Sequence, residues 1–490
     1  MEKSVDILLI HPPYHRKLGS GIVPPIGLAY LISSLRKAGF RCELLDCAPY
    51  FNSLDKLTIE NFKKWLQRKL AMTRPQLAIG IGPCTTSAIR SIVAIADTCK
   101  ETYPHLPLIF GGPLSLIPHQ EWLFFDWLNA FAVIKGDGEY PLSSILTQLR
   151  QGEISLDIPG VQTSENQHVE PYFVENLDIL PPPSYDKFKM NYYRPSIRRD
   201  LFVYPFVPVV GSRGCPYHCN FCISGHLIKY RRHSFEYVAK VVKVLRKDYR
   251  IRSVIFYDDC LFPSGSKIND EIRLFAELLN QSAPDVLWQI EIRPDVFSKI
   301  SVDTFKYIFA CGCRQLNIGF EKASSSQQNL LSKSFDTEEV KETCQLVAKF
   351  CPEMRITGTF ILGGPQETKE SILETIQFSV QLDLLFAHYY PMELYPGTPI
   401  YRFVFGENNR GWFDKIMNDK LPWGEIIYED EDLPIAQLMD LISFAYRCFY
   451  RGQEWKEKAK RHLGRNYKKV QKYVKSWREN RFRLNQGVKM

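Results

Sequence analysis

The sequence contains no long hydrophobic run, since none of its apolar stretches approaches the ~18 residues that a membrane-spanning helix needs. It also lacks a secretory signal peptide, because residues 1–6 have neither the cationic start nor the long apolar core of one. Hydrophobic residues make up 45% of the 490 positions and charged residues 24%, which excludes wholesale disorder. We therefore expect a cytoplasmic globular protein of roughly two to four domains.

The sequence does not have the short, cysteine-dense pattern of a disulfide-stabilised secreted domain, although it contains 13 cysteines. In a cytoplasmic chain of this length, we expect most of these cysteines to be small buried residues. Cys215, Cys219 and Cys222 differ from the rest, because they fall close together beside glycine and proline. They need a separate explanation.

Positive charge is concentrated at the end of the sequence. Residues 451–490 contain 14 Lys or Arg and 3 Glu, so the preceding residues are close to neutral within a total of +8. We interpret this basic tail as a solvated helix face. The alternatives are contact with a membrane surface or with RNA through phosphate groups.

The first 150 residues alternate apolar strand patterns with amphipathic helix patterns, which predicts an open parallel sheet with helices on both faces. Such sheets bind ligands beyond the carboxyl ends of their strands. The predicted strands lie at residues 5–10, 41–46, 77–82, 108–113 and 132–139. The candidate ligand-binding residues at their ends are Gly80, Gly82, Thr85, Ser87, Gly111, Gly112 and Gly136.

The periodicity fades between residues 151 and 204, where prolines gather, and we predict a linker there. A second alternating series over residues 205–400 predicts a partial (β/α)6 barrel with its functional residues at the strand ends. Residues 401–490 are predicted to form a helical region that ends in the basic tail. The predicted barrel strands are residues 207–211, 253–257, 288–292, 315–318, 357–362 and 387–394.

The three clustered cysteines have the spacing C-x3-C-x2-C directly after the first predicted barrel strand. Three thiolates on one tight loop can bind three irons of a 4Fe–4S cluster and leave the fourth iron open. A structural zinc site is the main alternative, but zinc needs four ligands, and only His218 or His226 could complete it locally. We therefore predict an iron–sulfur cluster on these cysteines.

This motif, with Phe221 before the last cysteine, resembles the signature of the radical S-adenosylmethionine (SAM) superfamily. The resemblance implies that SAM chelates the open iron and is cleaved to a 5′-deoxyadenosyl radical by an electron from the cluster. It also implies a reducing partner such as flavodoxin or ferredoxin. Further blocks at the strand ends carry the resemblance, and their candidate cofactor contacts are Asp258, Asp259, Arg293, Glu321, Gly363 and Gly364.

Elementary chemistry supports part of this set. The Arg293 guanidinium offers a fork of donors that suits a carboxylate, and the carboxylates of Asp258 and Glu321 suit an ammonium or ribose hydroxyl groups. Glu367 has a simpler interpretation as a helix cap after the Gly363–Gly364 turn.

The first domain resembles the Rossmann-like cobalamin-binding domain that precedes the barrel in one large subgroup of this superfamily. In that fold, the resemblance implies, glycines after the fourth strand make room for the nucleotide tail of cobalamin. The corrinoid motif D-x-H-x-x-G is absent, since only His11 and His15 follow the first strand, so the lower cobalt ligand is unassigned. A domain that keeps the fold without the corrinoid is the alternative. No G-x-G-x-x-G follows the first strand, which argues against a dinucleotide site.

Together, these resemblances imply a cobalamin-dependent radical SAM methyltransferase that methylates an unactivated carbon of a small-molecule, lipid or peptide substrate. One alternative is a radical enzyme that cyclises, ring-contracts or oxidises its substrate. Methylthiolation is a weaker alternative, because the first domain does not offer the required cluster cysteines convincingly. A corrinoid- or cluster-binding sensor with a nucleic-acid-binding tail is an alternative from another class.

Overall fold

The computed structural model describes residues 4–13, 23–51, 58–153, 155–193, 206–406, 412–413, 417, 427–428, 431–463, 467–468 and 471. The chain divides into two units. The first contains the described residues up to position 193, together with 395–397 and those of 401–426. The second contains the remaining described residues.

The first unit is built on a six-stranded sheet with the order β2-β1-β3-β4-β5-β6. Neighbouring strands are parallel, except that β6 is antiparallel to β5. The strands are β1 (Ser4–His11), β2 (Cys42–Asp46), β3 (Arg74–Ile81), β4 (Leu108–Gly111), β5 (Ala132–Ile134) and β6 (Val161–Gln162). The helices are α1 (Ile26–Lys37), α2 (Ile59–Leu70), α3 (Ile89–Thr102) and α4 (Glu139–Gln151).

Strand β1 shows why this sheet forms. Its residues from Val5 to His11 are all buried, as expected for a central strand of a parallel sheet that is covered on both faces. The four other parallel strands that the sequence predicts for this unit are also present.

The segment predicted as a linker, residues 151–204, contributes strand β6 to the first sheet, and its described residues belong to the first unit. The guanidinium of Arg36 on α1 also pairs with Asp186 of this segment, with 2.7 Å between Nη2 and Oδ2. A strand of two residues has too little periodicity to be recognised in a sequence.

The second unit contains a parallel six-stranded sheet with the order β14-β13-β12-β11-β10-β7. Its strands are β7 (Phe206–Val209), β10 (Ser253–Phe256), β11 (Leu287–Ile292), β12 (Cys313–Glu321), β13 (Arg355–Leu362) and β14 (Phe386–Pro391). A separate antiparallel pair is formed by β8 (Ser212–Arg213) and β9 (Arg231–Arg232). Sequential parallel strands joined by helices are the predicted partial-barrel pattern.

Helices connect these strands and continue beyond the sheet. They are α5 (Ser224–Leu227), α6 (Phe235–Tyr249), α7 (Ile268–Ser282), α8 (Pro294–Phe297), α9 (Val302–Ala310), α10 (Ser325–Leu330), α11 (Thr337–Phe350), α12 (Lys369–Gln381), α13 (Pro399–Phe405), α14 (Ile435–Arg451) and α15 (Gln453–Leu463). Local capping fixes several of them. The Asp336 side chain, for example, accepts hydrogen bonds from two backbone N–H groups in the first turn of α11.

Strand β14 lies at the edge of the barrel sheet, and helix α14 closes this edge. The Tyr450 hydroxyl accepts a hydrogen bond from the backbone N–H of Ala387 and donates one to its carbonyl group, at 3.1 and 2.9 Å. The Tyr446 hydroxyl accepts one from the N–H of Tyr389 at 3.2 Å. Side chains thus satisfy the edge groups that a further strand would otherwise pair with.

The described residues of the C-terminal region are mainly helical, through α13, α14 and α15, while Ile427 forms an isolated antiparallel bridge with Glu393. Within the predicted basic tail, residues 464–466, 469–470 and 472–490 lie outside the described residues. Within the described part of the chain, no helix combines the length and apolar character needed to cross a lipid bilayer.

Candidate cluster and cofactor site

The three candidate cluster cysteines lie on one loop between β8 and α5. Two glycines allow this loop to pack closely against the chain that follows. A Cβ atom at Gly225 would lie 1.7 Å from the Tyr217 carbonyl oxygen, and one at Gly214 would lie 2.6 Å from that of Ile228. The importance of Gly225 could not be predicted, because nothing in the sequence shows which backbone lies against it.

Asn220 fixes the loop to the rest of the barrel. Its side-chain Nδ2 donates to the Leu330 carbonyl at 2.7 Å, and its backbone N–H donates to the Leu331 carbonyl at 3.0 Å. Its own carbonyl accepts a hydrogen bond from the backbone N–H of Ile400 at 3.1 Å. Two distant segments therefore hold the middle of the loop, between the second and third cysteines.

The thiols differ in environment. Cys219 is buried, whereas Cys215 and Cys222 are half-buried. A hydrogen bond with the Cys260 thiol lowers the pKa of Cys215, and burial raises the pKa of Cys222. A lowered thiol pKa favours the thiolate, which is the form that binds metals.

The donor set fits the predicted cluster. In the described part of the chain, no three Cys, His, Asp or Glu side chains converge on one point as ligands of a single metal ion do. A 4Fe–4S cluster takes one thiolate on each iron, so its ligands need not converge. Three thiols on one anchored loop, with an arginine donor beside the buried one, suit such a cluster.

Arg293 lies directly beside the buried cysteine. Its Nη1 donates to the Sγ of Cys219 at 3.4 Å, and its Nε donates to Asp295 Oδ1 at 2.8 Å. The guanidinium carbon lies 3.7 Å from the ring centre of Tyr217. Burial lowers the pKa of Arg293, but the charges of Asp295 and Cys219 outweigh this effect and raise it.

A cavity of about 180 Å³ opens at the carboxyl ends of the barrel strands, next to the cysteine loop. Of the predicted cofactor contacts, it brings together Asp259, Arg293 and Glu321. Glu291 and Lys333 also line it, although no role could be assigned to either of them from the sequence. The cavity wall therefore carries three carboxyl groups and two cationic groups, which gives it a slight excess of negative charge.

Two of the carboxyl groups that line the cavity have specific partners. Glu321 Oε1 pairs with Lys333 Nζ at 2.8 Å, and Gly319 leaves room for this pair, because a Cβ atom there would lie 2.5 Å from that oxygen. Asp259 is exposed and lines the cavity, with protein packed around its carboxyl group. Partial loss of hydration beside the surrounding protein raises its pKa, while a hydrogen bond from Ser224 opposes the shift.

Asp258 does not line the cavity. Its Oδ1 accepts hydrogen bonds from the backbone N–H groups of Gly211 and Ser212 at 2.8 and 2.5 Å, and from the Ser212 hydroxyl at 2.6 Å. Its Oδ2 has no hydrogen-bond partner within the described part of the chain. Burial raises the pKa of Asp258 to about 7. In this structure the carboxyl group fixes the chain that leads into the cysteine loop.

Gly363 and Gly364 also lie outside the cavity lining. Gly363 has a φ of +82°, and a Cβ atom there would lie 2.7 Å from Leu438 on α14. Its carbonyl accepts a hydrogen bond from Lys322 Nζ at 2.9 Å, and Lys322 also pairs with Glu367. Glu367 is therefore part of a fully buried ion pair, and the cap of helix α12 is Thr368 instead.

The predicted first-domain glycines are needed mainly because the chain packs against itself. A Cβ atom at Gly82 would lie 2.7 Å from the Gly111 carbonyl oxygen, and one at Gly112 would lie 2.4 Å from the Cys84 nitrogen. One at Gly136 would lie 2.1 Å from the Tyr172 carbonyl oxygen. At these three glycines the space of a side chain is filled by protein, whereas a Cβ atom at Gly111 would meet nothing closer than 3.6 Å. That these glycines contact a ligand stays a prediction.

Protein also occupies the space beside Gly80, since a Cβ atom there would lie 2.9 Å from the Leu9 side chain. Thr85 and Ser87 remain suited to a ligand. Their hydroxyl groups are 3.2 Å apart, just beyond the end of β3 and before α3. Hydroxyl groups at a helix start beyond a parallel strand suit a phosphate-bearing ligand, as cobalamin is.

The two histidines that follow the first predicted strand leave the lower cobalt ligand unassigned. His11 is buried, and its Nδ1 lies 2.8 Å from Asp46 Oδ1. The Tyr193 hydroxyl donates to the other oxygen of the same carboxylate. His15 lies outside the described residues.

Comparison with known proteins adds independent findings. Residues 209–379 match the family model of the radical SAM superfamily. An uncharacterized methyltransferase of Pyrococcus horikoshii is 28% identical over 416 residues, which is 83% of this chain and 84% of the relative. The anaerobic magnesium-protoporphyrin IX monomethyl ester cyclase of Cereibacter sphaeroides is 23% identical over 461 residues, covering 91% of this chain and 70% of the cyclase.

The fold is similar to that of the radical SAM methyltransferase TsrM from Kitasatospora setae, solved with cobalamin and a [4Fe-4S] cluster bound. The TM-score is 0.63 at 17% sequence identity, and the match covers 82% of this chain and 78% of TsrM. The predicted architecture, an N-terminal parallel sheet followed by a partial barrel and C-terminal helices, is thus confirmed.

Proposed function

We propose that this chain, which is an enzyme and belongs to the radical SAM superfamily, is a cobalamin-dependent methyltransferase that acts on an unactivated carbon atom. The observation that carries the proposal is the anchored C-x3-C-x2-C loop beside a cavity at the strand ends. The relative from Pyrococcus horikoshii, which bears the name methyltransferase, supports the choice of reaction.

In this proposal, Cys215, Cys219 and Cys222 hold the 4Fe–4S cluster. When bound, the cluster would supply the single electron that cleaves SAM to a 5′-deoxyadenosyl radical, and methylcobalamin would supply the methyl group. The electron would come from a low-potential donor such as flavodoxin or ferredoxin.

The cavity residues would bind and orient SAM. SAM carries a positive sulfonium and a positive ammonium group against one carboxylate, so the slight negative excess of the cavity wall complements it. Asp259, Glu291 and Glu321 provide acceptors for the ammonium group and the ribose hydroxyl groups.

The first unit would hold cobalamin at the carboxyl ends of its strands, with the Thr85 and Ser87 hydroxyl groups as candidate donors to its phosphate. The likeness to the fold of TsrM, which was solved with cobalamin, supports this assignment. The substrate is proposed only by class, as a small molecule, a lipid or a peptide.

A second candidate function is radical cyclisation of the substrate, with no methyl transfer. The relation to the magnesium-protoporphyrin IX monomethyl ester cyclase favours it. Product masses separate the two functions, because methylation adds one methylene to the substrate, whereas ring closure removes two hydrogen atoms.

Cleavage of SAM tests the site assignment before a substrate is known. The anaerobically reconstituted protein, given dithionite and SAM, should form 5′-deoxyadenosine and methionine. The Cys219→Ala variant should lose the iron–sulfur absorbance and all cleavage. Cys448→Ala is the matched control, because this half-buried cysteine lies on α14 away from the loop, and the variant should behave like wild type. Cleavage by Cys219→Ala would overturn the assignment.

A further inference from the structure

We propose that Arg293 is a positioning residue for the iron–sulfur cluster. It contacts the cluster through the Sγ atom of Cys219 and raises the reduction potential of the cluster. The inference concerns the cluster and rests on the radical SAM assignment alone. It does not depend on whether the enzyme methylates or cyclises its substrate. It also gives Arg293 a role beyond the carboxylate contact that its chemistry first suggests.

The contact to sulfur is direct. Arg293 Nη1 lies 3.4 Å from Cys219 Sγ, which is within hydrogen-bond distance for a sulfur acceptor. Cys219 is the most buried of the three candidate ligands, and the Arg293 side chain is only 14% exposed. Solvent therefore screens this interaction weakly.

Two side chains, Asp295 and Tyr217, hold the guanidinium in this orientation. Asp295 Oδ1 accepts a hydrogen bond from Nε at 2.8 Å, and the Tyr217 ring lies 3.7 Å beneath the guanidinium carbon. The Tyr217 hydroxyl in turn accepts a hydrogen bond from the Ser264 backbone N–H at 2.7 Å. Because the carboxylate of Asp295 and the ring of Tyr217 fix the guanidinium, Arg293 is preorganised to donate to the thiol of Cys219.

The sign of the effect follows from charge. Reduction adds one electron to the cluster, supplied by an external low-potential donor, and no bond is made or broken. The added electron density lies partly on the ligand sulfurs, so a charged N–H donor stabilises the reduced cluster more than the oxidised one. Arg293 therefore raises the reduction potential and makes the electron easier to accept.

The test is a redox titration of the full-length reconstituted protein without SAM. The reduced cluster is monitored by its electron paramagnetic resonance signal. The Arg293→Met variant keeps the bulk of the side chain but removes the donor and the charge. We expect its midpoint potential to be more negative than that of wild type at the same iron content. Arg293→Lys should give a smaller shift in the same direction, because the charge remains and the planar fork is lost.

The matched control is Arg273→Met. Arg273 also stacks on an aromatic ring, with its guanidinium carbon 4.7 Å from the ring centre of Tyr307, but it lies on the exposed side of α7. The midpoint potential of this variant should equal that of wild type.

Two outcomes would overturn the proposal. One is an unchanged potential in Arg293→Met together with weakened SAM binding, which would make Arg293 a SAM ligand only. If Arg293→Met does not assemble a cluster, Arg293→Lys and Tyr217→Leu are measured instead. Tyr217→Leu keeps the arginine but removes the ring beneath it. Wild-type potentials in both of these variants would also overturn the proposal. Failure of the radical assignment itself would appear separately, as absence of SAM cleavage by the wild-type protein.

Discussion

Asp258 and Asp259 show how neighbouring residues of the same type take different roles. Asp259 lines the cavity, whereas Asp258 turns away from it and binds the backbone ahead of the cysteine loop. In the sequence both are carboxylates at the end of one strand. Only the direction of each side chain at the strand end separates them.

Asp258→Asn should change how stability depends on pH. Burial raises the pKa of Asp258 from its ordinary value of 3.8 to about 7. A carboxyl group with a raised pKa makes its full contribution to stability at pH values below its pKa in the unfolded state. This contribution is lost as the pH rises through its pKa in the folded state. Asn cannot ionise, and its side-chain oxygen can accept the same hydrogen bonds.

Relative to wild type, Asp258→Asn should therefore gain stability as the pH rises from about 4 to about 7. At ~1.4 kcal/mol per pKa unit, the gain in the free energy of unfolding is at most about 4 kcal/mol. Anaerobic thermal unfolding at pH 5 and pH 8 measures the difference. The melting temperature of the variant should rise relative to that of wild type between the two pH values. A constant difference would show that Asp258 does not titrate in this range.

The individual residues also show how much of the site a sequence can predict. The spacing of Cys215, Cys219 and Cys222 after a strand predicts a cluster site, because ligand spacing along one loop is a local property. The reason for glycine at position 82 could not be predicted, because it comes from Gly111, 29 positions away in the sequence. Strand ends can be found from local patterns, but the partners across the sheet cannot.

Among the elements, the cysteine loop depends on the close approach of α5. The Gly225→Ala variant would place a Cβ atom 1.7 Å from the Tyr217 carbonyl oxygen, so the loop backbone must move. We expect the variant to fold but to bind much less iron than wild type, as measured by iron content and absorbance after reconstitution.

Gly265→Ala is the control for this prediction. No heavy atom lies within 4 Å of the position that a Cβ atom would take at Gly265, so alanine fits there without displacement. This variant should bind iron as wild type does. Full iron content in Gly225→Ala would show that the loop tolerates displacement and that its packing does not position the thiols.

The edge of the barrel gives a second prediction about the elements. Tyr450→Phe removes the hydroxyl that serves both backbone groups of Ala387, which are buried beneath α14. Leaving them without a partner should lower the free energy of unfolding by about 2 kcal/mol. Anaerobic denaturant unfolding measures it, and Tyr140→Phe, at a half-exposed tyrosine of the first unit, is the control. Equal stability of the two variants would contradict a closing role for Tyr450.

Strand β6 marks the limit of element prediction. The five other strands of the first unit can be predicted from their apolar composition, but β6 consists of Val161 and Gln162 alone. Its place in the sheet is set by pairing with β5. The surrounding segment therefore resembles a linker in the sequence, although its described residues belong to the first unit.

For the molecule as a whole, the proposal divides the chemistry between the two units. The second unit would bind the cluster and SAM, and the first would bind cobalamin. Removal of residues 1–194 should therefore abolish corrinoid binding, while slow SAM cleavage without methyl transfer continues. Retention on a cobalamin affinity matrix and 5′-deoxyadenosine formation measure the two properties. Retained corrinoid binding would place the cobalamin site outside residues 1–194.

A metal count tests this division of cofactors at once, on protein purified without oxygen from cells supplied with cobalamin. Iron and cobalt are determined per chain together with an ultraviolet–visible spectrum. We predict about four iron atoms and an amount of cobalt equal to that of protein, with both chromophores visible. Four irons without cobalt would contradict the role given to the first unit, and protein without iron after reconstitution would contradict the cluster on Cys215, Cys219 and Cys222.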